Sequence, residues 1–583
     1  MENDTPSRPA SADGTRLTIP PSFPVDEYTP HGYLAIPCSD AGAGRGGVVR
    51  SVPPLGFGYW LRSFKGSSGS IPPGDANYLS VLKLTFACED LQLVGVSDFA
   101  SAGINLVSRY HTKHMMSYDW ACGGLTFSVR YFLPREDTLA CLIEVANAGP
   151  TAKDVIANAI HVYGLWETPW QGSDGLDMLY VPDADAGVST IFARGDSFAI
   201  GANVRSIAHK ATGQRGEVPR WLRGNDLTSA DAASVRGPGP LHTIMSYKLA
   251  VPAQGRTTAL ICLSRGDNGR AALAELRTSL AEAVSNLKQQ LDRDEAFWSR
   301  CQRLDGDWPA VWKRGWVYDR ETLRIKGMPD DQVRRRYSPS TRERVFAAVR
   351  KLHAVKAPGE SEIHLWLECL RNHPHVWQEQ PRWLASYVDR AQAAGLHKLA
   401  GEAVADIADR IYPRLDCRTV RFDDQSRPFA YRVPGVACEN WPISDDVEPG
   451  YENSAAGATL PLHIIRSIVG FREPDKADAR KPEDRADVEF LLTPALPQRL
   501  MMLGRSYWLR NLALRGIDLN IRYVVENERR RIITLDYVSH EPVTVAVRDQ
   551  SGQPVVAFTA GTTSDLHSFS ADNGQVLVVR FKT

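Results

Sequence analysis

The residues of this chain best suited to chemistry are acids set among aromatics, and they fall in three clusters. In the first, Trp308, Trp312 and Trp316 stand at i, i+4 and i+8, nearly one face of a helix, with Tyr318, Asp319 and Glu321 close behind. Aromatic faces stack on the C–H-rich faces of sugar rings, while carboxylates hold hydroxyls or move protons. The same stripe also suits plain packing of a helix on a neighbouring domain. The second cluster puts Glu439, Trp441, Asp445, Asp446, Glu448, Tyr451 and Glu452 within 16 residues, just before an apolar helical pattern that starts at Ala455. Asn453 or Ser454 caps such a helix, and Glu452 sits near its positive end. Capping does not account for the density of the other acids, which fits a polar wall of an active site. The third cluster holds His111 and His114, and further on Trp166, Glu167, Trp170 and Asp174 in a segment able to lean over a site and touch substrate. A histidine pair binds metal only if a third ligand converges. None is evident, so these histidines, like His373 and His375, are expected to be ordinary hydrogen-bonded ones, with no metal and no cofactor.

Other chemistries lack their marks. The chain has no GxxxxGK[ST] phosphate loop, no GxGxxG opening a βα unit, no HExxH and no GxSxG. Its 68 basic side chains cancel its 68 acidic ones, which argues against an electrostatic nucleic-acid binder. The balance also favours a neutral glycan over a polyanionic one. No apolar run reaches the roughly 18 residues that span a bilayer, so no membrane segment is expected. Nine cysteines without a CxxC pair indicate reduced, mostly buried thiols. The first 24 residues are polar and proline-rich with no signal-peptide core. Together these features lead to the expectation of a cytoplasmic protein whose N-terminus, 1–29, is disordered.

At 583 residues the chain is long enough for several domains. From Tyr33 to about Leu263 short apolar runs such as 79–86, 125–132 and 139–145 alternate or run continuously between Gly, Pro, Asn and Asp turns. That pattern predicts a large two-sheet antiparallel sandwich. The period then changes: Leu273, Leu276, Leu280, Val284, Leu287 and Leu291 predict one or two long helices over 270–303, placed as a linker. Less regular helical segments follow at 308–324, 341–355, 360–371, 381–393, 396–411 and 455–469, with a long Pro-, Asp- and Arg-rich loop at 413–450. Strands return at 517–525, 532–537, 543–547 and 576–581. The expected fold class is multidomain α and β: a disordered 1–29, a β-supersandwich at 30–268, linker helices at 269–304, an (α/α) toroid-type helical domain at 305–485, and a small β-sandwich at 486–583.

This order, with the text WKRGWVYDRETLR (312–324), GYENSAAGATLPLHII (450–465) and FLLTPALP (490–497), resembles the six-hairpin, (α/α)6-barrel glycosidases, in particular bacterial proteins related to glycoside hydrolase family 63. The barrel is abridged relative to that pattern. Residues 308–470 number 163, the 413–450 loop takes 38 of them, and the rest suffice for about seven helices of ordinary length. The resemblance implies glycoside hydrolysis with inversion, in which one carboxyl protonates the leaving oxygen and another activates water, about 6.5–9.5 Å apart. By motif position it implies Glu452 as general base with Glu439 as rival. Asp319 is the first choice as acid, ahead of Glu321, Glu360 and Glu362. Trp312, Trp316, Tyr318, Glu321, Trp166, Trp170, Trp441 and Tyr451 are the implied substrate contacts. The competing expectation is a carbohydrate-binding or scaffold protein without catalysis. A phosphorylase is a third, resting on Arg334, Arg335 and Arg336 as a phosphate cradle.

Overall fold

The structure, a computed structural model, describes residues 78–165, 176–191, 197–224, 234–325, 329–335, 388–411, 460–472 and 488–582, with short gaps inside these spans, and the strands Ala35–Pro37, Val48–Val52, Gly56–Leu61, Arg421–Phe422 and Pro428–Ala430. The expectations for residues 1–29, for a helix at 341–355, for 360–371 apart from Ser361 and Leu365, which are helical, and for most of the 413–450 loop lie outside them. The chain forms two compact units, one of Met1–Glu295 with Phe422–Pro428, the other of Ala296–Arg421 with Phe429–Thr583.

Among the described residues the first unit holds an eight-stranded and a nine-stranded sheet, every pairing antiparallel. The long strands Tyr78–Cys88, Lys153–Leu165 and Leu241–Val251 lie side by side in the first sheet. Met115–Cys122, Leu125–Arg135, Thr138–Asn147 and Arg256–Gly266 do so in the second. The two sheets face each other: Phe86 of the first meets Trp120 of the second edge to face, with ring centroids 5.4 Å apart.

Their outer faces are covered as well. Helix α1 (Glu217–Gly224) lays Val218, Trp221 and Leu222 on Ile160, Ala208 and Ile244 of the eight-stranded sheet. Helix α2 (Gly269–Arg300) lays Ala272, Leu276, Ala283, Leu287 and Leu291 along Leu142, Val188, Ala199 and Leu260 of the nine-stranded sheet. Strands covered on both faces run continuously apolar rather than alternating, which is why Ser197–Ala202 is buried at every position. The helix expected only as a linker therefore seals a sheet for most of its length, because its leucine stripe matches the apolar outer face of those strands.

Among the described residues the second unit is built on a ten-stranded antiparallel sheet that includes Arg303–Gly306, Ser506–Leu514, Ile517–Val525, Arg530–Asp549, Val488–Leu492 and Leu577–Lys582. Arg530–Asp549 is one strand where two were expected. Its first half pairs with Ile517–Val525 and its second with Leu577–Lys582. The exposed stretch around Pro542, which has no N–H to give to a ladder, marks the change. Helix α3 (Ala310–Ile325), α4 (Asp330–Arg335) and α5 (His397–Ile411) belong to this unit, with a helical turn from 460 that becomes π-helical over Ile464–Val469. These described helices do not amount to the twelve of a closed toroid. Gly470 ends the π turn at φ +83°, with its N–H donating to Ile465 O.

Candidate functional site in the second unit

Helix α3 carries the first cluster. Trp312, Trp316 and Asp319 fall at i, i+4 and i+7, one face of the helix. Trp312 and Trp316 are 0% exposed, and Asp319 and Glu321 are each 2% exposed. Each indole of the stripe donates to a different partner: Trp308 Nε1 to Trp508 O at 2.9 Å, Trp312 Nε1 to Asp409 Oδ1 at 2.7 Å, and Trp316 Nε1 to Gln302 O at 2.8 Å. Arg499 ion-pairs with the same Asp409 and lies over the Trp312 ring. Trp308 packs on Tyr507, with centroids 4.9 Å apart. These indoles present no open ring face, which a stacked sugar needs. The stripe packs the helix, the alternative use its spacing allowed.

Behind the stripe lies a buried charged cluster. Arg324 Nη1 donates to Glu321 Oε1 at 2.7 Å, and Trp298 Nε1 donates to that same oxygen at 2.9 Å. The other edge of the Arg324 guanidinium grips Asp330, Nε to Oδ1 at 2.9 Å and Nη2 to Oδ2 at 3.1 Å. Its plane also lies over Phe297, 4.1 Å from the ring centroid. Arg320 Nη2 donates to Gln302 Oε1 at 3.1 Å and stacks over Trp316. Burial pushes the Cys301 thiol up to about 11, against the lowering pull of Arg320 and Arg324. Asp330, 37% exposed at its side chain, is the solvent end of this chain of charges. One arginine shared between a buried and a half-open carboxylate ties the end of α3 to the start of α4. Sequence reading missed Trp298, Gln302, Arg320, Arg324 and Asp330. Part of the signal was present, since Glu321 and Arg324 stand at i, i+3 and Trp316 and Arg320 at i, i+4.

A second polar group in this unit was also missed. Arg466 and Ser467 on the π-helical turn, and His463 just before it, are buried, and Gln392 Nε2 donates to Arg466 O at 3.2 Å and to Ser467 Oγ at 3.0 Å. Such turns recur at functional sites. His397, at the start of α5, is lowered to about 4 by burial and then by Arg472.

Of the other expected site residues, Glu452, Glu439, Trp441, Tyr451, Glu360 and Glu362 lie outside the described residues, as do Trp166, Glu167, Trp170 and Asp174 in the first unit. The side chains of Tyr318 and His111 do too. His114 Nδ1 meets Asp294 Oδ1 at 2.6 Å within the first unit, which makes it a hydrogen-bonded histidine. Arg334 ion-pairs with Asp518 at 3.3 Å, and Arg335 and Arg336 lie outside the described side chains. Among the described residues no three His, Cys, Asp or Glu side chains converge as a metal site, and no helix is long and apolar enough to cross a membrane.

No family model and no curated protein matches the chain. Partial likeness to solved structures exists. A bacterial glucoamylase complexed with acarbose is 10% identical, with a TM-score of 0.33, over 49% of this chain and 40% of that one. A protein described as a kojibiose phosphorylase, from the human microbiome, is 8% identical with a TM-score of 0.27, over 46% of this chain and 38% of its own length. A heparan sulfate lyase from Pedobacter heparinus is 7% identical with a TM-score of 0.21, over 40% and 37%. The matches thus span well under half the length of those proteins, and at these scores a common fold does not follow.

Proposed function

We propose that this protein acts on carbohydrate, as a glycoside hydrolase that cleaves an oligosaccharide or glycoside by inversion. The observation that carries the reading is on α3: Asp319 is a buried carboxyl on the same helix face as two indoles. A general acid needs a water-poor wall of this kind. The motifs at 312–324 and 450–465 support it, together with the sequence of strand-rich unit, long helix, aromatic-acid helix and terminal sheet. In this reading Asp319 protonates the leaving oxygen and Glu452, or its rival Glu439, activates water. Trp441, Tyr451 and Tyr318 contact sugar, and Trp312, Trp316 and Glu321 act as walls that fix α3.

One observation favours a second reading, carbohydrate binding without hydrolysis. The Glu321 oxygen already accepts from Trp298 and Arg324, so one of the two carboxylates of the first cluster is committed to structure.

The test is mass spectrometry of a mixed oligosaccharide pool incubated with the full chain in ¹⁸O-labelled water. Hydrolysis places the label at a new reducing end, and Glu452→Gln abolishes that product while sugar affinity stays within a few-fold. Binding on a glycan array without labelled product selects the second reading. Neither product nor binding, from folded protein, rejects both.

A further inference from the structure

The thiols of Cys88 and Cys122 stand at one end of the two-sheet unit, and three observations bring them together. Phe86 and Trp120 touch across the sheets at 5.4 Å. Two residues further along each strand, on the same inner faces because strand side chains alternate, come Cys88 and Cys122. Each cysteine is the last residue of its strand. Cys122 precedes the Gly123-Gly124 hairpin turn, whose residues both have positive φ, and Cys88 precedes Glu89 at φ 51°. Finally, the Lys153 ammonium joins the two turns: Nζ donates to Gly123 O at 2.7 Å and pairs with Glu89 Oε1 at 2.9 Å. The residue directly after each cysteine is therefore held by one and the same side chain.

From this placement we infer that Cys88 and Cys122 are a modification site, a cross-sheet dithiol that takes a low-molecular-weight disulfide as oxidant and closes into a disulfide. Cys122 is part exposed and Cys88 is buried, which sets the order of events. The Cys122 thiolate attacks one sulfur of the small disulfide, breaks its S–S bond and releases one thiol. Cys88 then loses its proton, attacks the Cys122 sulfur and releases the second thiol. Two electrons pass from the protein thiols to the small disulfide, and the two protons end on the released thiols. Burial, then the neighbouring Cys88, raises the Cys122 thiol to about 11, and burial with Glu89 raises Cys88. The thiolate fraction limits the rate, so the pair is slow at neutral pH and the reaction speeds up about tenfold per pH unit below 11.

The probe is glutathione disulfide, with the full chain at pH 7, 8 and 9, followed by alkylation and a non-reduced peptide map. The expected product links the peptides of Cys88 and Cys122, forms faster as pH rises and reverts with dithiothreitol. Cys88→Ser stops at a glutathione adduct on Cys122, and Cys122→Ser leaves Cys88 free. Closing the segment 88–122 raises Tm by about 5–10 °C. In the wild type, a stable glutathione adduct on Cys122 beside a free Cys88 overturns the inference. So does Cys122 linked to any other cysteine, or no oxidation at pH 9 while Cys122 alkylates.

Discussion

Trp298 and Arg324, 26 positions apart in the chain, donate to the same oxygen of Glu321, at 2.9 and 2.7 Å. All three side chains are buried in the second unit. Removing the Glu321 carboxylate orphans the Trp298 N–H and one edge of the Arg324 guanidinium, which keeps Asp330 on its other edge, a loss of about 1–3 kcal/mol for each group left without a partner. Glu321→Ala should cost that much in urea unfolding, and Trp298→Phe, which leaves the carboxylate its arginine, about 1–3 kcal/mol. A double-mutant cycle should show coupling between them. A Glu321→Ala loss under 1 kcal/mol would show that the cluster carries little stability.

His161 sits between the sheets of the first unit, with Nε2 2.7 Å from Ser80 Oγ and Nδ1 2.9 Å from Ser189 Oγ. Burial, then nearby His242, lowers it to about 3. Between pH 6.5 and 3 the unfolded chain binds a proton at this histidine that the folded chain does not, so stability falls as pH drops through that window. The loss approaches about 1.4 kcal/mol per pH unit from this group. His397, lowered to about 4, acts in the same direction in the second unit. His161→Gln should flatten the slope of unfolding free energy against pH between 6 and 4, and an unchanged slope would remove His161 from the account.

Gly470 holds φ +83°, and a Cβ there would lie 1.9 Å from Thr493 O. Backbone cannot yield as a flexible side-chain tip does. Gly470→Ala should therefore cost more than the roughly 1 kcal/mol of a strained φ alone, read as a fall in Tm. A variant as stable as wild type would mean that the end of the π turn relaxes freely.

If Asp319 is the general acid, Asp319→Asn should lower turnover of an oligosaccharide by about 10²–10⁴-fold. Aryl glycosides with acidic phenols need little protonation, so their turnover should fall far less. An equal fall for both substrates would assign Asp319 a positioning role instead.

Several of the described elements are legible without coordinates. The expected run 517–525 is the strand Ile517–Val525, and 396–411 differs by one residue from His397–Ile411. Periods of two and 3.6 arise from local backbone geometry, and turn residues bound them. Readings fail where a segment's partners decide its form. The turn at 455–469 reads as ordinary helix, yet Ile464–Val469 winds as π-helix against Gln392 and Thr493, whose backbone N–H bonds Gly470 O. The gap around Pro542 reads as a break between strands, yet neighbours on both sides carry one strand through it.

The candidate site divides the same way. Residue spacing alone puts Trp312, Trp316 and Asp319 on one helix face, because i, i+4 and i+7 share a face in any α-helix. Folding decides that both indole rings are buried, that Trp312 gives its N–H to Asp409, and that Trp298 and Arg324 meet on Glu321. It also brings Lys153 to the turns after Cys88 and Cys122. Helical and strand periodicity acts over a few residues, whereas burial and hydrogen-bond partners depend on segments that meet only when the chain has collapsed.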